Sequence, residues 1–239
     1  MSLVIADCRP REAFVTGHVP GAVHLDPEED LTGEIGDVRR GRHPLPEPTA
    51  LADAFGRIGI GDETFVLAVD AGTGWAARCW WLLRHLGHDL CGTVDMRAYA
   101  GPLERGDSPR RGQSPSSFRA RLRLDDVIEA DEILARLEDP SLVLLDARAP
   151  ERWRGDVEPL DPVAGRIPGA RNAFFEDPLP AGATELPEVA AYCGSGVTAA
   201  VVVQRLVLAG REDARLYPGS FSEWCRRSDT PIERGDPAP

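Results

Sequence analysis

The sequence predicts an α/β fold built as two tandem domains, each a mainly parallel sheet flanked by helices. Two observations carry the prediction. Short apolar runs of strand length alternate with amphipathic stretches of helix length along the chain, the pattern of successive βαβ units. The same series of motifs also occurs twice in the same order, the mark of an internal duplication. At 239 residues and 42% hydrophobic content, the chain has room for two domains of ordinary size, each with its own core.

The repeat can be followed element by element. The strand and turn Val4-Ile5-Ala6-Asp7-Cys8-Arg9 correspond to Val143-Leu144-Leu145-Asp146-Ala147-Arg148. The turn Gly17-His18-Val19-Pro20-Gly21-Ala22 corresponds to Gly165-Arg166-Ile167-Pro168-Gly169-Ala170. In both, proline and glycine fix the backbone, so the turn reads as architecture. Val69-Asp70-Ala71-Gly72-Thr73-Gly74 corresponds to Tyr192-Cys193-Gly194-Ser195-Gly196-Val197, and each is followed by a helical pattern stopped by Gly87 or Gly210. The expected organisation is a first domain over 1–105, a linker over 106–124 rich in Gly, Pro and Ser, and a second domain over 125–239.

The halves differ in two ways. Asp70 stands where the second half has Cys193, so only the second half offers a thiol at that place. Asp70 also lies 48 positions after Ala22, whereas Cys193 lies 23 after Ala170. The extra length falls mainly in the charged stretch 26–46, and a long irregular loop in a compact domain is usually a binding loop or a disordered one. One reading is an inactive first half that lends a lid to the second.

Composition narrows the function. The net charge of −12 argues against a nucleic-acid partner. All 27 basic residues are arginine, which excludes lysine Schiff-base chemistry and leaves a side chain suited to bidentate carboxylate recognition. No apolar stretch approaches the ~20 residues of a membrane span, and the N-terminus lacks a signal-peptide pattern. The five cysteines, Cys8, Cys79, Cys91, Cys193 and Cys225, include no CxxC pair, so neither a disulfide framework nor a metal site is indicated. A cytoplasmic location is expected.

Cys193 carries the chemistry. The apolar run Val189-Ala190-Ala191-Tyr192 ends at it, and Gly194-Ser195-Gly196-Val197-Thr198 leads into a helix running to Leu208. A sulfur held at such a turn faces backbone N–H groups that glycines leave uncovered, a nest that favours an anion. A thiolate nucleophile is therefore expected there, in place of a structural cysteine. A phosphatase-type thiolate loop would need an arginine six places after the cysteine; Ala199 stands there, which disfavours that chemistry.

Five motifs in order across the duplication resemble the tandem-domain rhodanese family, the thiosulfate and 3-mercaptopyruvate sulfurtransferases. They are Gly17 to Ala22, Leu145-Asp146-Ala147-Arg148, Arg152-Trp153-Arg154-Gly155, Cys193 to Ala199, and Leu216 to Trp224. The resemblance implies two rhodanese-like domains, the second catalytic. Cys193 would carry sulfane sulfur as a persulfide from a small-molecule donor to a thiol or cyanide acceptor, with no cofactor. It implies that Gly194, Gly196, Val197 and Thr198 cradle the persulfide, and that Arg152 grips the donor. It also implies that Ser195 works with a histidine, matched by His43, and with an acidic partner, matched by Glu28 near Asp26. The loop wording is that of the mercaptopyruvate enzymes, and an uncharged loop suits a donor of lower charge than thiosulfate; the donor stays open between the two.

The chain departs from the family at two further places. Leu160 follows Glu158-Pro159 where a second arginine is common, and Arg166 replaces the histidine of the Gly-His-Ile-Pro-Gly turn. Structural readings stand beside the functional ones. Asp146 with Arg148, and Asp7 with Arg9, read as ion pairs anchoring turns; His43 reads equally as a catalytic lid residue or a solvated loop residue. Trp80 and Trp81 read as core, Ser220-Phe221-Ser222-Glu223 as a capping box, and Cys225 as the thiol open to oxidation. The rival function is a non-enzymatic binding module, which Asp70 fits and Cys193 does not.

Overall fold

The computed structural model describes residues 2–107 and 116–236, so part of the expected linker, residues 108–115, lies outside the described residues. The chain forms two compact units, Met1–Glu34 with Leu45–Leu124, and Ile35–Pro44 with Asp125–Pro239. The segment 35–44 of the long first-half loop thus packs within the unit that holds Cys193.

The first unit runs β1 (Ser2–Asp7), α1 (Arg11–Thr16), β2 (Val23–His24), α2 (Pro48–Arg57), β3 (Thr64–Asp70), α3 (Trp75–His85) and β4 (Cys91–Asp95). Its strands form one parallel sheet in the order β2-β1-β3-β4, with Ser2 opposite Thr64 and Asp7 opposite Val69. The central β3 is apolar on both faces because helices cover both sides of a parallel sheet. Trp80 and Trp81 of α3 are core side chains, as the sequence predicts. Pro48 opens α2 at a first-turn position, where its missing N–H costs nothing. Residues 116–123 of the breaker-rich seam are bound to this unit. Ser116 N–H donates to Gly56 O, Arg121 N–H to Leu86 O, and the Phe118 ring packs edge-on against Phe55.

The second unit repeats the plan with α4 (Ala130–Ala135), β5 (Leu142–Asp146), α5 (Pro150–Arg154), β6 (Arg171–Asn172), β7 (Glu188–Tyr192), α6 (Ala199–Leu208), β8 (Arg215–Leu216) and α7 (Ser220–Trp224). Its sheet order is β6-β5-β7-β8, again all parallel. Ile128, Ile133, Leu144, Ile167, Tyr192, Tyr217, Phe221 and Trp224 form its core.

The Asp-x-Arg turns are structural in both units. Arg9 donates to Asp7 and to Gly17 O at 2.7 Å; Arg148 donates to Asp146 and to Gly165 O at 2.7 Å. Each buried arginine ties the end of the first central strand to the Pro-Gly turn. Gly21 and Gly169 take φ of 78° and 75° in those turns, a conformation glycine adopts without strain. Among the described residues no helix is long and apolar enough to cross a membrane.

Candidate active site

In the second unit the strand order reverses direction between β5 and β7, and open parallel sheets bind ligands at the carboxyl ends of such a pair. Cys193 directly follows β7, and the Asp146-Arg148 turn directly follows β5. Three backbone contacts fix the loop after β7. Cys193 N–H donates to Ser220 Oγ at 3.2 Å, Phe221 N–H to Cys193 O at 3.0 Å, and Ser222 N–H to Gly194 O at 2.9 Å. The loop then curls over the sulfur. Gly196 N–H donates to Cys193 Sγ at 3.1 Å and Ser195 N–H at 3.5 Å, with Gly196 at φ 81°. Val197 is buried and Thr198 half-buried where the chain enters α6. Amides aimed at a sulfur stabilise its anionic form.

Cys193 is 1% exposed.

The first unit shows what the corresponding turn does without a thiol. Asp70 accepts from Gly72 N–H at 2.9 Å, Ala76 N–H at 3.1 Å and the Thr73 hydroxyl at 3.2 Å. A carboxylate there fills the anion nest that the second unit leaves to sulfur.

The structure brings His43 to Ser195, with Nδ1 2.7 Å from Oγ. The segment carrying His43 is seated by Gly41, whose φ is +89° and whose missing Cβ would lie 2.7 Å from Gly219 O. Arg42 N–H donates to Ser222 Oγ at 3.1 Å. Glu28 belongs to the first unit, beside the helical turn that Asp26 caps by accepting from Glu28 N–H at 3.0 Å. Partial desolvation and the Asp26 carboxylate push the Glu28 carboxyl upward.

Arg152, on α5, pairs with Glu158 at 2.6 Å. The Glu158 side chain is almost fully buried; it also meets Arg148 and accepts from the Leu160 and Asp161 N–H groups, which folds the Glu-Pro turn. The Arg148 guanidinium lies 4.1 Å from the Phe221 ring centroid. Burial alone would lower its pKa, but the Asp146 carboxylate outweighs that and holds it raised.

The sequence reading missed three residues near the loop: Arg42, Asp161 and Arg226. The Asp161 side chain is fully buried and accepts from Arg42 Nη1 and, at 2.9 Å, from Arg226 Nη1. No local motif marks it.

Two sequence readings need correction. Ser220 forms no capping box, because α7 has no side-chain cap. Its hydroxyl instead donates to Tyr217 O and accepts from Cys193 N–H, and its φ of 53° is strained for a serine. Cys225 is buried, and desolvation with nearby Asp161 pushes its thiol up to about 11, away from easy oxidation. Arg166, which stands in place of the turn histidine, is buried against Glu233 and stacks on Trp153, with its guanidinium carbon 4.2 Å from the ring centroid.

A strand-loop-helix cysteine at the switch point of a duplicated parallel sheet defines a rhodanese-type architecture. Residues 2–101 and 129–227 each match the rhodanese-like domain family, and the chain belongs to that family. It is 39% identical to a probable 3-mercaptopyruvate sulfurtransferase of Pseudomonas aeruginosa, over 98% of this chain and 93% of that protein. It is 36% identical to a putative thiosulfate sulfurtransferase, SseB, of Mycobacterium tuberculosis (93% and 85%), and 33% identical to human 3-mercaptopyruvate sulfurtransferase (91% and 80%). Its fold matches that of the Saccharomyces cerevisiae Tum1 protein with a TM-score of 0.80 at 18% identity, covering 99% of this chain and 93% of that one. The protein is an enzyme, and its activity is sulfur transfer.

Proposed function

We propose that Cys193 carries the transferred sulfur, and that 3-mercaptopyruvate is its preferred donor. The observation that carries this reading is the 2.7 Å contact between His43 Nδ1 and Ser195 Oγ beside the Cys193 loop. The Cys193 thiolate attacks the donor sulfur, an S–S bond forms, and the C–S electron pair passes to the pyruvate enolate. The enolate takes a proton from the Ser195 hydroxyl. The proton lost by the donor thiol, as it becomes the persulfide, restores Ser195 through His43. Thiosulfate releases sulfite and needs no such proton, so this pair suits mercaptopyruvate. An acceptor thiolate or cyanide then attacks the outer sulfur and frees Cys193. Arg152 binds the donor carboxylate, and the loop amides of Ser195 and Gly196 hold the persulfide. Residues 1–105 serve as the non-catalytic domain and 125–239 as the catalytic one, with 106–124 joining them.

The test is mass spectrometry after treatment with each donor. A +32 Da adduct on the Cys193 peptide, absent in Cys193→Ser and forming faster with mercaptopyruvate, is expected. No adduct with either donor would overturn the reading.

A further inference from the structure

We propose that Arg42 is the second donor-carboxylate arginine, acting with Arg152, and that Asp161 is the positioning residue that holds both. This rests on the reading of Cys193 and mercaptopyruvate given above. Leu160 leaves the usual place of a second arginine empty of charge, and it is 60% exposed. The cation comes instead from the segment that delivers His43. A methyl built on Gly194 would lie 2.7 Å from Arg42 Nη2 and 3.5 Å from both Arg152 Nη1 and Nη2, and these are its three nearest neighbours. Two guanidiniums thus converge on the residue next to the sulfur, and glycine there is what makes room for them.

Asp161 explains the convergence. Its Oδ1 accepts from Arg42 and Arg226, while Oδ2, buried and without a hydrogen bond among the described residues, lies 3.7 Å from Arg152 Nη2. Glu158 accepts from Arg152 Nε at 3.2 Å and Nη2 at 2.6 Å, so Nη2 faces both carboxylates. Arg42, Arg148, Arg152 and Arg226 face Asp146, Glu158 and Asp161, four cations against three anions. One positive charge is left over, the complement of a singly charged carboxylate donor. The Arg42 and Arg152 side chains remain partly exposed, 25% and 18%, so both can exchange a protein carboxylate for a substrate one.

The test compares two donors differing only in the carboxylate, 3-mercaptopyruvate and mercaptoacetone, by single-turnover persulfide formation. In Arg42→Ala the preference for mercaptopyruvate should fall about tenfold to hundredfold, as for loss of one charged hydrogen-bonded contact, with the mercaptoacetone rate retained. Arg42→Gln keeps the first part of the side-chain stem and a polar end without the charge, and gives the same result if the alanine variant folds poorly. Asp161→Asn should raise KM for mercaptopyruvate while leaving kcat near wild type. An equal fall for both donors, or an unchanged preference, overturns the assignment. A wild-type enzyme inert to mercaptopyruvate would instead refute the donor reading beneath it.

Discussion

Replacing Ser195 by alanine separates the proton path from the sulfur cradle. The Ser195 amide that faces Cys193 Sγ at 3.5 Å stays, while the hydroxyl 2.7 Å from His43 Nδ1 is lost. A positioned general acid contributes about 10²–10⁴-fold, equivalent to about 3–5 kcal/mol of barrier. Persulfide formation from mercaptopyruvate should fall by about that factor, whereas the thiosulfate rate, whose leaving group needs no proton, should stay close to wild type. His43→Ala should show the same selectivity, and the double variant should lose little more than either alone, because the two residues act as one unit. Rapid quench followed by intact-protein mass measurement reads both rates. Parallel losses with the two donors would show that Ser195 only shapes the loop.

Two further predictions concern stability. Asp146→Ala leaves the Arg148 guanidinium, whose side chain is 1% exposed, to the longer 3.3 Å contact with Glu158; the cost should be about 3 kcal/mol, the low end for breaking a buried pair, a fall of about 10 °C in Tm by calorimetry. Adding Arg148→Met should recover part of it, since an apolar pair avoids the buried charge, and no recovery would contradict that account. Hydrogen bonds from Arg136 hold the Glu188 carboxyl below its ordinary range. Its contribution is therefore present above the unfolded value of about 4.3 and lost as pH falls through the lower folded value. Glu188→Gln should lower Tm by about 1–3 °C at pH 7, a small effect for a partly exposed pair, and by progressively less as pH falls below about 4. A pH-independent difference would point to packing instead.

Much of this molecule is legible along the chain because its signals are local or periodic. The apolar runs 66–69 and 189–192, the glycines after α3 and α6, and the two Pro-Gly turns each encode their own geometry within a few residues. The repeat then fixes a shared topology for both halves. Cys193 stands out for the same reason, since the glycines beside it define the amide nest wherever the strand and helix lie.

Tertiary structure decided what depends on distant partners. Arg42 meets Asp161 across 119 positions and Arg226 meets it across 65. With 27 arginines and 39 acidic residues, no spacing rule selects those pairs. Ser220 looked like a cap because its motif is local, yet the loop N–H of Cys193 competes for its hydroxyl and wins. The seating of segment 35–44 is equally nonlocal: it turns on Gly41 approaching the backbone of Gly219, a contact that only folding creates.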